Sequence, residues 1–275
     1  MRNMRKYLLL ILAMMIVALA VTGVFIIRGK NKIVAGTVTT ASPSPEYPKI
    51  EKYQVPILMY HYIRIARGED KLGEKLSVTP TNFEDQIKIL KENDYRTMKL
   101  ADLADPEKKE ISRIMAANEK PIVLTFDDGY RDAYTQAFPV LQKYEFIGTF
   151  FIVRGFIGRR NYLMKNQIEE MEKAGMEIGS HTLTHPDLTQ LSRKAQEKEI
   201  FDSKEDTSVF CYPAGRYNKV SLELVKAAGY LAAVTTKYGL ARETSDIFEL
   251  PRIRVENFSG KILIEKLNDE SKNSF

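Results

Sequence analysis

Two adjacent carboxylates, Asp127 and Asp128, close the apolar run Ile122-Val123-Leu124, and Gly129 follows them. In α/β folds with parallel strands, chemistry gathers at the C-terminal ends of strands. Neighbouring strand residues point to opposite faces, so the two acids have separate surroundings. Their charges repel unless a cation or a proton divides their roles. Gly129 lets the backbone turn sharply and approach a ligand. Taken alone, the stretch reads equally well as a strand ended by an Asp/Gly turn. The chain has three histidines, His61, His181 and His185, and two of them share one segment, His181-Thr182-Leu183-Thr184-His185. Spaced at i and i+4, they lie on one side if the segment coils, so both imidazoles can face one metal. With one carboxylate they make a His₂–carboxylate set that leaves positions open for water and substrate. The alternative is two unrelated loop histidines. A third segment, Phe210-Cys211-Tyr212-Pro213-Ala214-Gly215-Arg216-Tyr217, ends a strand in a Pro/Gly turn, which alone is ordinary loop chemistry. Cys211 reads as a small buried hydrophobe rather than a nucleophile.

The elements that must position these residues alternate between strand and helix. Strands are expected over 55–63, 121–126, 148–153, 177–181, 209–212, 231–236 and 250–255. Helices are expected from Thr79-Pro80-Thr81, over 106–117, around Ala133 to Leu141, over 165–174, 192–206 and 219–228, and from about Lys261. Alternation of this kind implies a parallel sheet, and roughly seven strands imply a barrel. The chain shows no internal repeat.

Composition sets the outer limits. The 275 residues are 44% hydrophobic, enough for a sizeable core. Lys and Arg number 41 against 36 Asp and Glu, a net charge of +5. This is a mixed surface with a mild basic tilt, so no nucleic-acid partner is expected. With Cys211 as the one cysteine, no intramolecular disulfide and no CxxC metal site can form. Residues 7–27 form an almost unbroken apolar run without a polar face, long enough to cross a bilayer. Three segments are therefore expected: 1–28 as a membrane anchor or signal segment, 29–52 as a flexible Thr/Ser/Pro-rich linker, and 53–275 as the folded domain. Ala18-Leu19-Ala20 offers a small-x-small cleavage site, but hydrophobicity continues through Val24-Phe25-Ile26-Ile27, which favours a retained anchor. Basic residues flank both ends of the run, so the positive-inside rule leaves orientation open.

Together, Thr125-Phe126-Asp127-Asp128-Gly129-Tyr130, His181-Thr182-Leu183-Thr184-His185-Pro186 and Tyr212-Pro213-Ala214-Gly215 resemble the polysaccharide deacetylase family (NodB homology domain, carbohydrate esterase family 4). The resemblance spans roughly Val55 to Val255. It implies a distorted (β/α)7 barrel, after the N-terminal transmembrane helix and linker, and metal-dependent removal of acetyl groups from N-acetylated polysaccharide. Carried over position by position, it implies Asp127 as general base and Asp128, His181 and His185 as metal ligands. The Tyr212-Pro213-Ala214-Gly215 turn becomes the oxyanion loop, with the donating N–H placed at Ala214. The chemistry asks for these residue types. An acetamide is a poor electrophile, and a divalent metal polarises its carbonyl and lowers the pKa of water to about 7. A base outside the metal shell takes the water proton, donors stabilise the oxyanion, and an acid protonates the leaving amine. Zn²⁺ fits the ligand types best; Co²⁺, Ni²⁺ and Mn²⁺ are also accepted by such a set.

Two departures point to a branch of the family typified by biofilm poly-N-acetylglucosamine deacetylases. Most members draw the acid from a C-terminal Leu-x-His motif, but this chain has no histidine after His185. Here the resemblance assigns the acid to His61, in Met59-Tyr60-His61-Tyr62. Most members also carry an arginine where this chain has Cys211; Arg252 or Arg254 is expected to replace it, with Arg252 orienting Asp127. The link Asp202–Thr207 is short for the family, which implies looser packing under the Tyr212 turn. The expected activity is N-deacetylation of an N-acetylglucosamine polymer outside the cytoplasm. Two alternatives stand beside it: a same-fold amidase acting on a small amide, and an inactive glycan-binding domain.

Overall fold

The computed structural model describes residues 50, 52–66, 68 and 71–272, all within the compact unit Glu46–Phe275. The expected membrane segment and almost all of the linker lie outside the described residues. Among the described residues, no helix is long and apolar enough to cross a membrane.

Seven parallel strands close on themselves: β1 (Ile57–Tyr60), β2 (Lys120–Phe126), β3 (Thr149–Ile152), β4 (Glu177–Ser180), β5 (Val209–Cys211), β6 (Ala232–Tyr238) and β7 (Leu250–Arg254). Each pairs with the next in sequence, and β7 returns to β1 through Ile253 opposite Leu58. This is the expected (β/α)7 barrel. Its wall is uneven. Strands β4 and β5 share one paired position, Ser180 with Phe210, and the β6–β7 register shifts between Val234 and Tyr238. The short strand Tyr95–Thr97 adds to the first half of β2.

Alternation along the strands sorts the core into two layers. Ile57, Val123, Phe151, Val209, Cys211 and Val234 fall in one buried cluster. Their neighbours Leu58, Tyr60, Leu124, Phe126, Phe150 and Ile152 join a second with Phe83, Ile87 and Leu263 from two covering helices. In that layer Tyr60, Phe126 and Phe150 stack at centroid spacings of 5.2 and 4.6 Å. The helix Pro80–Glu92 starts as its sequence dictates: Thr79 caps the Asn82 N–H, and Pro80 takes the first position, where no N–H is needed.

Three elements differ from expectation. The run 55–63 is three short strands, interrupted at Pro56, which has no N–H to give, and at His61. The segment Ala133–Ala137 is a π turn before the helix Phe138–Lys143. Pro139 explains it, because its ring cannot sit against the Thr135 carbonyl in a regular α-helix. The helix expected over 192–206 stops at Phe201. The link after it is tight, which corrects the expectation of loose packing. Ser203 and Thr207 are buried. The Ser180 hydroxyl bonds the Ser203 hydroxyl at 2.8 Å, and Arg154 Nε donates to the Ser203 carbonyl at 3.2 Å.

Candidate active site

The site lies where β1, β2, β4, β5 and β7 end. Asp127 is 4% exposed, and its N–H donates to the Tyr60 carbonyl of β1. Asp128 and Gly129 then take left-handed conformations, φ 73° and 75°, and swing the chain off the strand. At Gly129 a Cβ would stand 3.3 Å from Ile152 Cγ2, so the turn needs both the positive φ and the missing side chain.

The histidine segment does not form a helix. It coils through two left-handed residues, Thr182 (φ 65°) and His185 (φ 60°). Such values are costly for a β-branched residue and persist only where surroundings impose them. The restraints are visible. The Thr182 hydroxyl donates to the His181 carbonyl at 2.6 Å and accepts the His185 N–H at 3.0 Å. The Glu199 carboxylate, from the helix Arg193–Phe201, accepts the Leu183 N–H, the Thr184 N–H and the Thr184 hydroxyl at 3.0, 2.9 and 2.7 Å.

This loop brings both imidazoles to one carboxylate oxygen. Asp128 Oδ1 is 3.3 Å from His181 Nε2 and 3.3 Å from His185 Nε2. Ligands at tetrahedral angles around a metal with bonds of about 2.1 Å stand about 3.4 Å apart, so the spacing fits one cation. His181 Nδ1 lies 2.7 Å from the Cys211 carbonyl. That bond makes Nδ1 the donor and leaves the Nε2 lone pair for a metal, a common way of fixing a ligating imidazole. Burial raises the Asp128 pKa, but hydrogen bonds and charge from His181 and His185 outweigh it and hold the carboxyl well below its usual range. Burial would lower His185, yet the Asp128 hydrogen bond and charge carry it above its ordinary value. Asp127, His181 and Cys211 also place ligand-type atoms close together. That set fits a cation poorly, since burial pushes the Cys211 thiol far up, leaving it neutral, and Arg252 engages both Asp127 oxygens.

Arg252 projects from β7 into the barrel, with its side chain fully buried. Its Nη1 and Nη2 donate to Asp127 Oδ1 and Oδ2, each at 2.7 Å. Nη1 also donates to the Thr125 hydroxyl and Nε to the Thr235 carbonyl. The Arg252 Nη2 also lies 3.3 Å from the Cys211 sulfur. Burial works against ionisation of Asp127, but the charge and hydrogen bonds of Arg252 overcome it and hold the carboxyl below its usual range. Asp127 is thus ionised at neutral pH in a dry site; its Oδ2 also accepts the Cys211 thiol at 3.6 Å, and its Oδ1 keeps a lone pair for another donor. Arg254, two residues on, is half-buried.

His61 sits just past β1, its Nε2 3.8 Å from Asp127 Oδ2. Burial holds its imidazole below the ordinary value, against the charges of Asp127 and Asp128. At the end of β5, Pro213 is buried and Ala214 is exposed and left-handed, φ 51°. The N–H groups of Gly215 and Arg216 close turns onto Tyr212 and Pro213, while the Ala214 N–H has no partner among the described residues. At Gly215 (φ 67°) a Cβ would come within 2.0 Å of Thr236 Oγ1, which fixes the turn against β6. The Tyr212 side chain is fully buried in a core cluster, stacked on Tyr217 at 4.4 Å. It anchors the loop and does not face the site.

Sequence reasoning missed Glu199, Thr182 as a restraint, and the Cys211 carbonyl. Glu199 follows His185 by fourteen positions on a polar helix, and no local signal marks it.

A parallel barrel with a buried ionised carboxylate beside a two-histidine, one-carboxylate cluster has the layout of a hydrolase. Comparison with known proteins gives the family. Residues 115–233 match the family model for polysaccharide deacetylase. YxkH of Bacillus subtilis (strain 168), named among polysaccharide deacetylases, is 36% identical over 214 residues, covering 74% of this chain and 71% of that protein. A Staphylococcus aureus poly-beta-1,6-N-acetyl-D-glucosamine N-deacetylase is 26% identical over 257 residues, covering 81% and 86%. The solved structure of the Streptococcus pyogenes deacetylase PplD in complex with acetate superposes with a TM-score of 0.67 at 33% identity, covering 77% of this chain and 97% of that one. The chain therefore belongs to the polysaccharide deacetylase family and is an enzyme of that class.

Proposed function

We propose that this chain removes N-acetyl groups from N-acetylglucosamine-containing polysaccharide, in a cell wall or an exopolysaccharide, outside the cytoplasm. The observation that carries the reading is the convergence of Asp128, His181 and His185, with Asp127 beside them and locked by Arg252. The S. aureus relative is named for this reaction on poly-beta-1,6-N-acetyl-D-glucosamine. The apolar run 7–27 supports a membrane tether, and an outward-facing domain follows from the substrate class.

Asp128, His181 and His185 would hold a divalent ion, best matched by Zn²⁺. Such an ion supplies polarisation of the acetamide carbonyl and acidification of water. The chain's residues do the rest. Asp127 accepts a proton from the attacking water, and Arg252 fixes its orientation. The Ala214 N–H, which has no other partner among the described residues, donates to the oxyanion as the carbonyl carbon becomes tetrahedral. His61 is neutral near pH 7, so it does not start with the proton the leaving amine needs. Its position beside Asp127 supplies one: the proton taken by Asp127 passes to His61, which delivers it to the amine. The C–N bond breaks, and acetate and a free amine leave.

The test is acetate release from poly-N-acetylglucosamine and from peptidoglycan, side by side, with a chelator control. Release that the chelator abolishes supports the reading, and no release from either polymer overturns it. A tether and linker have little use in an amidase acting on a small solute. A pure glycan binder has no need of a desolvated base.

A further inference from the structure

The end of β6 is irregular where two halves of the site meet. Val234 pairs with Leu250 and Tyr238 with Arg252, so between these pairs β6 advances four residues while β7 advances two. Bulges of this kind re-aim side chains and are over-represented beside active sites. The residues in between, Thr235, Thr236 and Lys237, each hold a different part of the machinery.

Thr235 serves the base. It is buried, and its carbonyl accepts Arg252 Nε at 2.8 Å, while Arg252 grips both oxygens of Asp127. The Thr235 hydroxyl donates to the Leu250 carbonyl at 3.2 Å and accepts the Lys237 N–H at 3.1 Å, which pins the bulge. Thr236 serves the oxyanion loop, because Gly215 sits against its side chain with no room for a Cβ. Lys237 serves the far end of the same loop. Its Nζ donates to Glu249 Oε1 at 2.9 Å and lies 5.5 Å over the Tyr217 ring. The same Glu249 oxygen accepts the Tyr217 hydroxyl. Hydrogen bonds from Tyr217 and then Lys237 hold the Glu249 carboxyl below its ordinary value, so it is ionised and keeps both donors.

The loop is therefore held at three points. Tyr212 roots it in the core, Gly215 rests on Thr236, and Tyr217, stacked on Tyr212, is clamped by Glu249. Arg216 also donates to Asp187 Oδ2 at 2.7 Å, but its side chain is 63% exposed, and an ion pair so wet contributes little. Between the fixed points Ala214 keeps φ 51°, a conformation that a non-glycine residue holds only when its surroundings impose it. The Ala214 N–H has no partner among the described residues, so the fixed points of the loop set its direction.

We propose that Glu249 is a positioning residue for the oxyanion: through Tyr217 and Lys237 it holds the loop so that the Ala214 N–H points at the developing oxygen. The β6 bulge then sets the spacing between this donor and the Asp127–Arg252 pair. The inference rests on the deacetylase reading above. Glu249 itself touches no reacting atom. The donor meets its oxygen fully only in the transition state, so a looser loop costs kcat and spares KM.

The test is steady-state acetate release by Tyr217→Phe, Glu249→Ala and Glu249→Gln, on whichever polymer the native enzyme deacetylates. Tyr217→Phe deletes one oxygen and keeps the ring stacked on Tyr212, so it decides the matter even if Glu249→Ala fails to fold. Removing an oxyanion donor costs about 10²–10³ in kcat, and a donor that stays but loses its aim should cost about tenfold. KM, metal per chain and the acid limb of the pH profile should stay native, because neither the ligand cluster nor the Asp127–Arg252 pair is touched. Glu249→Gln keeps an acceptor for the Tyr217 hydroxyl and should recover most of the rate. Native kcat in Tyr217→Phe overturns the proposal and leaves the deacetylase reading standing. So does a lost rate matched by lost metal or a shifted acid limb, or a glutamine variant as slow as the alanine one. A native enzyme that releases acetate from no polymer removes both.

Discussion

Arg252→Met is the perturbation with the most to say. In the native protein two charge-assisted hydrogen bonds of 2.7 Å join a fully buried guanidinium to a carboxylate that is 4% exposed. Removing one partner of such a pair leaves the other charge buried and costs about 3–5 kcal/mol. In a domain of this size each kcal/mol lowers Tm by about 2–4 °C, so the loss is about 6–20 °C. The pH dependence follows from the direction of the Asp127 shift. Its folded pKa is depressed, so it contributes stability above its unfolded pKa that is lost as pH falls through the folded value. Without Arg252 burial is opposed only by the lesser, later-ranked charges of His61 and His181, and the carboxyl moves up. The acid limb of kcat/KM should therefore move to higher pH, and turnover near neutrality should fall as the base becomes protonated. Thermal unfolding and a pH profile of acetate release read both effects. Adding Asp127→Asn to Arg252→Met should recover part of the lost stability, because no net charge then remains buried. A single variant with unchanged Tm and acid limb, or a double variant less stable than the single, refutes the reasoning.

Other outcomes follow from neighbouring contacts. His61→Ala should keep its metal while turnover falls by about 10²–10⁴, and unchanged turnover rejects the proton relay. Glu199→Ala frees three donors of the histidine loop, so competition titration should show metal affinity weakened by about 10–100-fold; equal affinity would make the carboxylate a surface ornament. The Cys211 thiol is buried and neutral, so a thiol reagent should label it only after unfolding. Rapid labelling of the native protein would contradict the packing around Asp127.

The sequence carried the barrel because apolar runs and helical spacings alternate cleanly, and each strand pairs with the next one along the chain. It carried the site through segments in which short spacing does the placing, such as Asp127-Asp128 and His181 to His185. Arg252 was legible only through a resemblance, as a replacement for an arginine missing at Cys211; contact across 125 residues leaves no local trace. Glu199 and the Tyr217–Glu249–Lys237 contacts were not legible at all, because each depends on how distant segments meet. The irregularities have local causes in the sequence. Pro56 breaks the first strand, and Pro139 forces the π turn at Ala133–Ala137.

The central claim is that Asp128, His181 and His185 hold one metal ion. Metal content after equilibration with trace Zn²⁺ tests it directly, measured by mass spectrometry on the native protein and on Asp128→Ala. One ion per folded chain, absent from the variant, is the result the geometry requires. Equal metal in both proteins, or none in either, would contradict it.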